Sequence, residues 1–222
     1  MDGITGLQNT SPRLGLSDKI LVKSGQLLAD TRCFTQCFRG RIIDRRIFQE
    51  GVTMIRYSIA QTSLGPVIVG MSPRGLCAIE PGDDETTLPE RLKADFPDTT
   101  IREAGAELAP VLEQVVRFLD QPGIDLDIPL DMQGSEFQLR VWQLLRAIPA
   151  GTTLSYTDLA ERLGSPGSAR AVAGACAANR LAVAIPCHRI IRRDGGLSGY
   201  RWGLERKRAL LEREAVQLAA TA

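Results

Sequence analysis

The sequence predicts an α/β protein in two parts: a sheet-bearing unit over 51–128 and an α-rich unit with a helix-turn-helix outline over 129–222. Three observations carry that expectation. Met54–Gln61 alternates, with Ile55, Tyr57 and Ile59 on one face, and Val67–Met71 and Leu76–Ile79 follow at hairpin spacing after the turns "GP" and "SPRG". This is the pattern of an antiparallel meander. Leu88–Phe96 and Leu108–Leu119 then read as helices, the second with Leu108, Val111, Val115 and Leu119 at helical spacing. Finally, "DQPGIDLDIPLD" (Asp120–Asp131) is a Pro- and Gly-punctuated connector, and the boundary between the two parts falls there. Cys77, inside the third strand, is expected to pack in the core.

Beyond the connector, Ser135 stands as the N-cap of a helix with Gln138 completing a capping box. Its buried stripe is Phe137, Val141, Leu144/Leu145 and Ile148, with Trp142 alongside. Thr152–Tyr156 reads as a short strand and Thr157–Leu163 as a short helix; "GSPGS" is a tight turn and Ser168–Ala178 a further helix. Short helix, tight turn, helix is the helix-turn-helix outline, a weak signal taken alone. The last of these helices says more. Val172, Cys176 and Asn179 define an inward face, while Arg170, Ala173, Gly174 and Ala177 define the other. That outer face carries one long cation and otherwise almost no side chain, so another surface could approach it closely. Small residues also suit a helix buried in a core, but an isolated arginine there argues against burial.

Composition bounds the function classes. Among 222 residues, 27 are basic and 26 acidic, a formal net charge of +1, so the total says nothing about partners. The distribution is uneven. Residues 80–131 are acid-rich, and Arg189, Arg192, Arg193, Arg201, Arg206, Lys207, Arg208 and Arg213 make the C-terminal end basic. Such an end suits either a polyanion-facing surface or a solvated helix. No stretch approaches twenty consecutive apolar residues, so no membrane span is expected, and no secretory signal pattern opens the chain. Five scattered cysteines, an odd number, do not form a disulfide framework, which points to an intracellular protein with reduced thiols. Residues 1–50 read as an extension of unclear role. Cys33 and Cys37 are half of a zinc spacing with no second pair nearby, so neither a metal nor a cofactor is expected.

Leu181–Ile191 reads as a buried strand interrupted by Pro186, and "RRDGGLSGY" after it as a glycine-rich loop. Within that strand, "IPCHRI" places Cys187 beside His188, the chain's only histidine. Neighbours in a strand point to opposite faces, so the two are not expected to touch. The final helix runs from about Gly203 to Leu218, with Leu204, Leu211, Ala215 and Leu218 as its stripe. Glu214 sits at the edge of that stripe, where an acid is more readily paired than freely solvated.

The run "SYTDLAERLGSPGSARAVAGACAANRLAVAIPCHRIIRRDGGLSGYRWGLERKRALLERE" strongly resembles the O6-alkylguanine-DNA alkyltransferases, also called methylated-DNA–protein-cysteine methyltransferases. The match is close over Phe137–Glu214 and looser over Met54–Asp131, and the ending looks most like the bacterial adaptive-response members. The resemblance implies a ribonuclease-H-like α/β domain followed by a winged helix-turn-helix catalytic domain. It implies a monomer that binds double-stranded DNA through the minor groove and flips an alkylated guanine out of the stack. Arg170 would take the flipped base's place, with Ala173, Gly174, Ala177 and Tyr156 also meeting the DNA. Cys187 would accept the alkyl group, His188 would serve as base through a bridging water, and Glu214 would orient the imidazole. Asn179 would be the hinge near the cysteine, and Tyr156 would return a proton to the leaving guanine. Tyr200, Arg201 (through its backbone N–H), Ile190 and Cys187 would line the alkylguanine pocket, and Arg189 would hold the site together. The resemblance also implies one turnover per molecule. Three other readings remain: a lesion-binding protein without chemistry, a methylation-dependent regulator, and a cysteine hydrolase.

Overall fold

The computed structural model describes residues 54–121 and 124–221, which belong to one compact unit. The readings of Cys33, Cys37 and the N-terminal extension fall outside the described residues.

Strands β1 (Met54–Thr62), β2 (Gly65–Ser72) and β3 (Gly75–Pro81) form the expected antiparallel meander. Ile59 lies opposite Ile68, and Val69 opposite Ile79. The β1–β2 turn needs Gly65, whose φ of 95° strains any residue with a side chain. Helix α1 (Leu88–Asp95) crosses over to a fourth strand, β4 (Thr100–Glu103), parallel to β1, giving the order β3-β2-β1-β4. Sequence patterning does not reveal β4. Its four residues, Thr-Ile-Arg-Glu, bury no side chain fully and show no apolar run.

The sheet is covered on both faces. On one, Ile55, Ile68 and Ala78 meet Leu88 and Leu92 of α1 and Phe96 after it. On the other, Val67, Val69, Leu76 and Ile79 meet α2 (Ala109–Asp120) through Val111 and Val115, and the second part of the chain through Val141, Trp142 and Leu145. The core is thus shared across the connector. Backbone bonds add to this: Leu76 N donates to Pro129 O (2.8 Å) and Ile79 N to Arg180 O (2.8 Å). Edge strand β3 therefore holds the segment that leads to Cys187.

Helix α3 (Glu136–Arg146) begins at the Ser135–Gln138 capping box, with both bonds present. Its Trp142 Nε1 donates to Ala175 O (2.9 Å), tying α3 to the helix over Ala169–Ala177. A second capping box, Ser155–Asp158, opens helix α4 (Tyr156–Arg162) directly after strand β5 (Leu154–Ser155). The motif S-Y-T-D carries that signal in the sequence. Tyr156 is therefore the first residue of a helix rather than the end of a strand. Helix α5 (Ala169–Ala177) follows, then strand β6 (Ile190–Ile191), parallel to β5, and the terminal helix α6 (Leu204–Thr221).

Two expectations are corrected. The segment Leu181–Ile191 is not a strand. It forms a bridge at Leu181 and a set of turns that hold Val183 at φ 65°, and then a 3-10 turn over Cys187–Arg189; only Ile190–Ile191 is extended. Its continuous apolarity reflects burial in a turn structure, not pairing in a sheet. The stripe of α6 is also different. Leu204 and Ala215 are exposed and Leu211 is half-buried, whereas Lys207, Leu210 and Glu214 are buried. This helix covers a polar interior, so its inward face is polar.

The basic C-terminal end likewise turns inward. Arg206 donates to Leu64 O (2.7 Å), Trp202 O (2.9 Å) and Gly82 O (2.5 Å), and Arg213 to Ser63 Oγ (2.8 Å) and Ser63 O (3.3 Å). Arg189, Arg201 and Lys207 are engaged around the site described next. Three of the eight cations, Arg201, Arg206 and Arg213, thus join the sheet unit to the second part, and two, Arg189 and Lys207, are held within the second part.

Candidate active site

Cys187 and His188 occupy the 3-10 turn between Pro186 and β6. Cys187 N donates to Ile185 O (2.7 Å) and Ile190 N to Cys187 O, so the backbone curls tightly around the sulfur. The strand geometry used to separate the two residues does not apply. Their side chains nevertheless have different partners.

The Cys187 thiol, 4% exposed, meets Asn179. Asn179 lies just beyond the end of α5 and is wholly buried. Its Nδ2 donates to Ile185 O (2.9 Å) and to the Cys187 sulfur (3.2 Å), and its Oδ1 accepts from Leu181 N (2.8 Å). One side chain thus closes the turn that leads into Cys187 and touches its sulfur. Burial pushes the thiol up to about 11, against the pull of the Asn179 hydrogen bond and the Lys207 charge. Cys176, on the inner face of α5, is also raised by burial, and Cys77 is pushed up to about 12.

His188, also wholly buried, pairs its Nε2 with Glu214 Oε1 at 2.9 Å. Nδ1 has no hydrogen-bond partner among the described residues, which leaves it as the nitrogen able to serve an exchangeable proton. Burial lowers the His188 pKa, and the Glu214 carboxylate opposes that. Glu214 is the centre of this network. It accepts from Arg189 Nη2 (2.8 Å) and Nε (3.0 Å) and from Gly151 N (2.8 Å), while Arg189 Nη1 donates to Ile148 O (2.5 Å). Burial alone would raise the carboxyl, but the His188 and Arg189 hydrogen bonds outweigh it and hold it down to about 2. The imidazole therefore faces a permanent anion.

The predicted pocket residues lie around the same turn. The Tyr156 hydroxyl meets Ser198 Oγ at 2.8 Å, and burial raises its pKa. The Tyr200 hydroxyl is buried without a hydrogen-bond partner, its ring edge-on to Trp202 at 5.1 Å. The Ile190 carbonyl already accepts from Lys207 Nζ (2.5 Å), leaving one lone pair for any other donor. The Arg201 guanidinium points away, to Asp95 and Ala177 O. Sequence reasoning missed Lys207. It is wholly buried and also donates to Ser198 O (3.3 Å), so one ammonium fixes both β6 and the glycine-rich loop. Its position, seven residues before Glu214, was the available signal: i and i+7 share a helix face.

On α5, Val172, Ala175, Cys176 and Asn179 face inward, and Arg170, Gly174 and Ala177 are exposed, with Ala173 half-buried. Nothing lies within 4 Å of where a Cβ on Gly174 would stand. The protein's own packing does not require that glycine, which costs about 1 kcal/mol in a helix interior. A cavity of about 520 Å³ opens next to the Glu214 network. It is lined by Pro186, Arg189 and Glu214 together with Phe118 and Leu126, and excludes Cys187. No group of three or more His, Cys, Asp or Glu side chains suited to a metal occurs among the described residues, and none of their helices is long and apolar enough to cross a membrane.

A buried cysteine braced by an asparagine, a histidine–glutamate pair one residue on, and a bare-faced helix beside them define a class. Residues 136–216 match the family model for the DNA-binding domain of 6-O-methylguanine DNA methyltransferase. The chain is 34% identical over 158 residues to the inducible methylated-DNA–protein-cysteine methyltransferase of Bacillus subtilis, spanning 71% of this chain and 83% of that protein. It is 49% identical over 161 residues to the bifunctional transcriptional activator/DNA repair enzyme Ada of Escherichia coli, spanning 72% of this chain and 46% of Ada. The crystal structure of Mycobacterium tuberculosis OGT in complex with DNA superposes with a TM-score of 0.60 at 31% identity, covering 74% of this chain and 94% of that one. The chain belongs to the methylated-DNA–protein-cysteine methyltransferase family. It spans about half the length of the Ada-type relatives it matches.

Proposed function

We propose that this protein repairs DNA by moving the alkyl group of O6-alkylguanine, and less efficiently O4-alkylthymine, from duplex DNA to its own Cys187, once per molecule. The observation that carries this reading is the pairing of a buried Cys187, touched by Asn179, with a His188–Glu214 pair in the same 3-10 turn. The chemistry needs a thiolate. His188 Nδ1 takes the thiol proton through a water, while Glu214 stabilises the imidazolium. The sulfur attacks the methyl carbon, an S–C bond forms and the C–O6 bond breaks. The guanine anion takes a proton from Tyr156. The product is a thioether, which lacks the carbonyl that lets water regenerate an acyl-cysteine enzyme, so a second turnover is not expected.

The outer face of α5 suits entry into a minor groove about 6 Å wide, because Ala173, Gly174 and Ala177 add almost no bulk. Arg170 fills the stack after the base flips, offsetting part of an extrusion cost of a few kcal/mol. Tyr200, Ile190, Cys187 and the Arg201 backbone receive the flipped base. In this reading the sheet unit is ribonuclease-H-like, the boundary lies near residue 128, α4–α5 with β5–β6 is a winged helix-turn-helix, and the protein acts as a monomer.

The test is a duplex carrying a methyl-labelled O6-methylguanine, with the label mapped on the protein by mass spectrometry. One methyl per polypeptide on Cys187 is expected; label elsewhere, or repeated turnover, would refute the mechanism. In the same assay Arg170→Ala should slow transfer from duplex at least tenfold and leave reaction with the free alkylated base within twofold. Equal losses would remove Arg170 from base flipping.

A further inference from the structure

We infer that Asp95, at the end of α1, is a positioning residue for the alkylguanine pocket, holding the hinge side through Arg180 and the loop side through Arg201. This rests on the proposed function of the Cys187 site.

Asp95 belongs to the sheet unit, yet both cations it meets adjoin site residues. Arg201 lies between Tyr200 and Trp202, and its guanidinium pairs with Asp95, lies 3.8 Å from Glu80 and donates to Ala177 O (3.4 Å) at the end of α5. Arg180 directly follows Asn179. Its Nε is 3.8 Å from Asp95, and its guanidinium stacks over Phe96 at 4.6 Å. One carboxylate therefore fixes the distance between the segment that braces the cysteine and the loop that carries Tyr200. The Asp95 side chain is only 16% exposed, so the pairing is weakly screened.

Glu80 is the other carboxyl near Arg201. It is wholly buried on β3, and neither oxygen has a hydrogen-bond partner among the described residues; its nearest cations, Arg91 and Arg201, are 3.9 and 3.8 Å away, whereas Asp95 pairs with Arg201 directly. Burial and the neighbouring Asp95 raise the Glu80 pKa, so Asp95 is the stronger anion of the two. The other arginines joining the two parts differ in kind. Arg206 and Arg213 mainly bind backbone carbonyls of the sheet unit and brace α6; Arg206 also donates to Trp202 O (2.9 Å) on the loop side, whereas Asp95 meets a cation from each of the two segments.

The experiment is single-turnover methyl transfer with the full chain, using free O6-methylguanine base and methylated duplex, for wild type, Asp95→Asn and Asp95→Glu. The endpoint of label per polypeptide gives the active fraction, and thermal melts report folding. Asp95→Asn should raise the half-saturating concentration of free base at least tenfold. The limiting rate should stay within threefold, because no contact of Cys187, Asn179, His188 or Glu214 involves Asp95. Asp95→Glu should recover part of the loss. A folded Asp95→Asn protein with unchanged half-saturation, or with loss confined to the active fraction, overturns the inference. If Asp95→Asn does not fold, Arg180→Lys, which keeps the charge but loses the planar fork at a residue outside the pocket, is judged by the same criterion. Wild type that transfers no methyl overturns the proposed function and this inference with it; wild-type transfer matched by Asp95→Asn overturns the inference alone.

Discussion

Asn179→Ala should slow methyl transfer roughly 100-fold, on the order of a lost acid–base or positioning group, and cost about 3 kcal/mol of stability. The stability loss follows from burial. Asn179 is 0% exposed, and its removal strands Leu181 N–H in the interior and takes one of two donors from Ile185 O, which keeps Cys187 N. A buried orphan costs about 1–3 kcal/mol and the second lost hydrogen bond about 1 kcal/mol, and the turn that Asn179 closes leads directly into Cys187. The kinetic loss has a second source. The Asn179 hydrogen bond is the largest of the influences pulling the Cys187 thiol down against burial. Without it, the pH profile of Cys187 alkylation by iodoacetamide should move to higher pH. Urea melts check the first effect and the alkylation profile the second. A profile that stays in place would leave Asn179 with a purely structural part.

Glu214→Gln should be of similar size and has a pH signature. Removing the carboxylate breaks a buried network with His188, Arg189 and Gly151 N, and loss of one partner from a buried ion pair costs about 3 kcal/mol or more. The carboxyl is held down to about 2, below its unfolded value. Its contribution is therefore complete above about pH 4.5 and disappears as pH falls toward 2. Wild type should lose stability steeply across that window, and Glu214→Gln, already weaker at neutral pH, should lose less. Methyl transfer should fall about 100-fold at neutral pH, because an imidazolium beside an amide is no longer stabilised. Denaturation midpoints from pH 2 to 7 for both proteins decide the matter; parallel curves would show that Glu214 is not ionised in the folded state.

Local chemistry was the most legible part of the sequence. The Ser135 capping box depends on two residues three apart, and the meander depends on alternation interrupted by Gly65 and Gly75, so both survive into the structure. The inner face of α5 was legible for the same reason: Val172, Cys176 and Asn179 recur at helical spacing and are buried. Reading failed where burial and polarity part company. Apolar residues from Leu181 to Ile185 are buried in turns, and hydrophobicity alone does not separate a buried turn from a buried strand. On α6 the buried positions are Lys207, Leu210 and Glu214, two of them charged, because the helix closes over carbonyls and an imidazole. A search for an apolar stripe selects the wrong face in such a case. Three C-terminal arginines are not readable locally either: Arg201, Arg206 and Arg213 find carboxylates, hydroxyls and carbonyls of the sheet unit, far away in sequence, which no local pattern contains.

The depth at which the Cys187 sulfur lies has a consequence for the proposed single use of this side chain. Burial raises the thiol, so little of it is thiolate at neutral pH in the resting protein. Stray electrophiles and disulfides react with thiolates, and a protein with one reaction to give would lose molecules to each such encounter. Under the proposed function, the low idle reactivity that would be a defect in a recycling enzyme preserves the stock of unspent molecules.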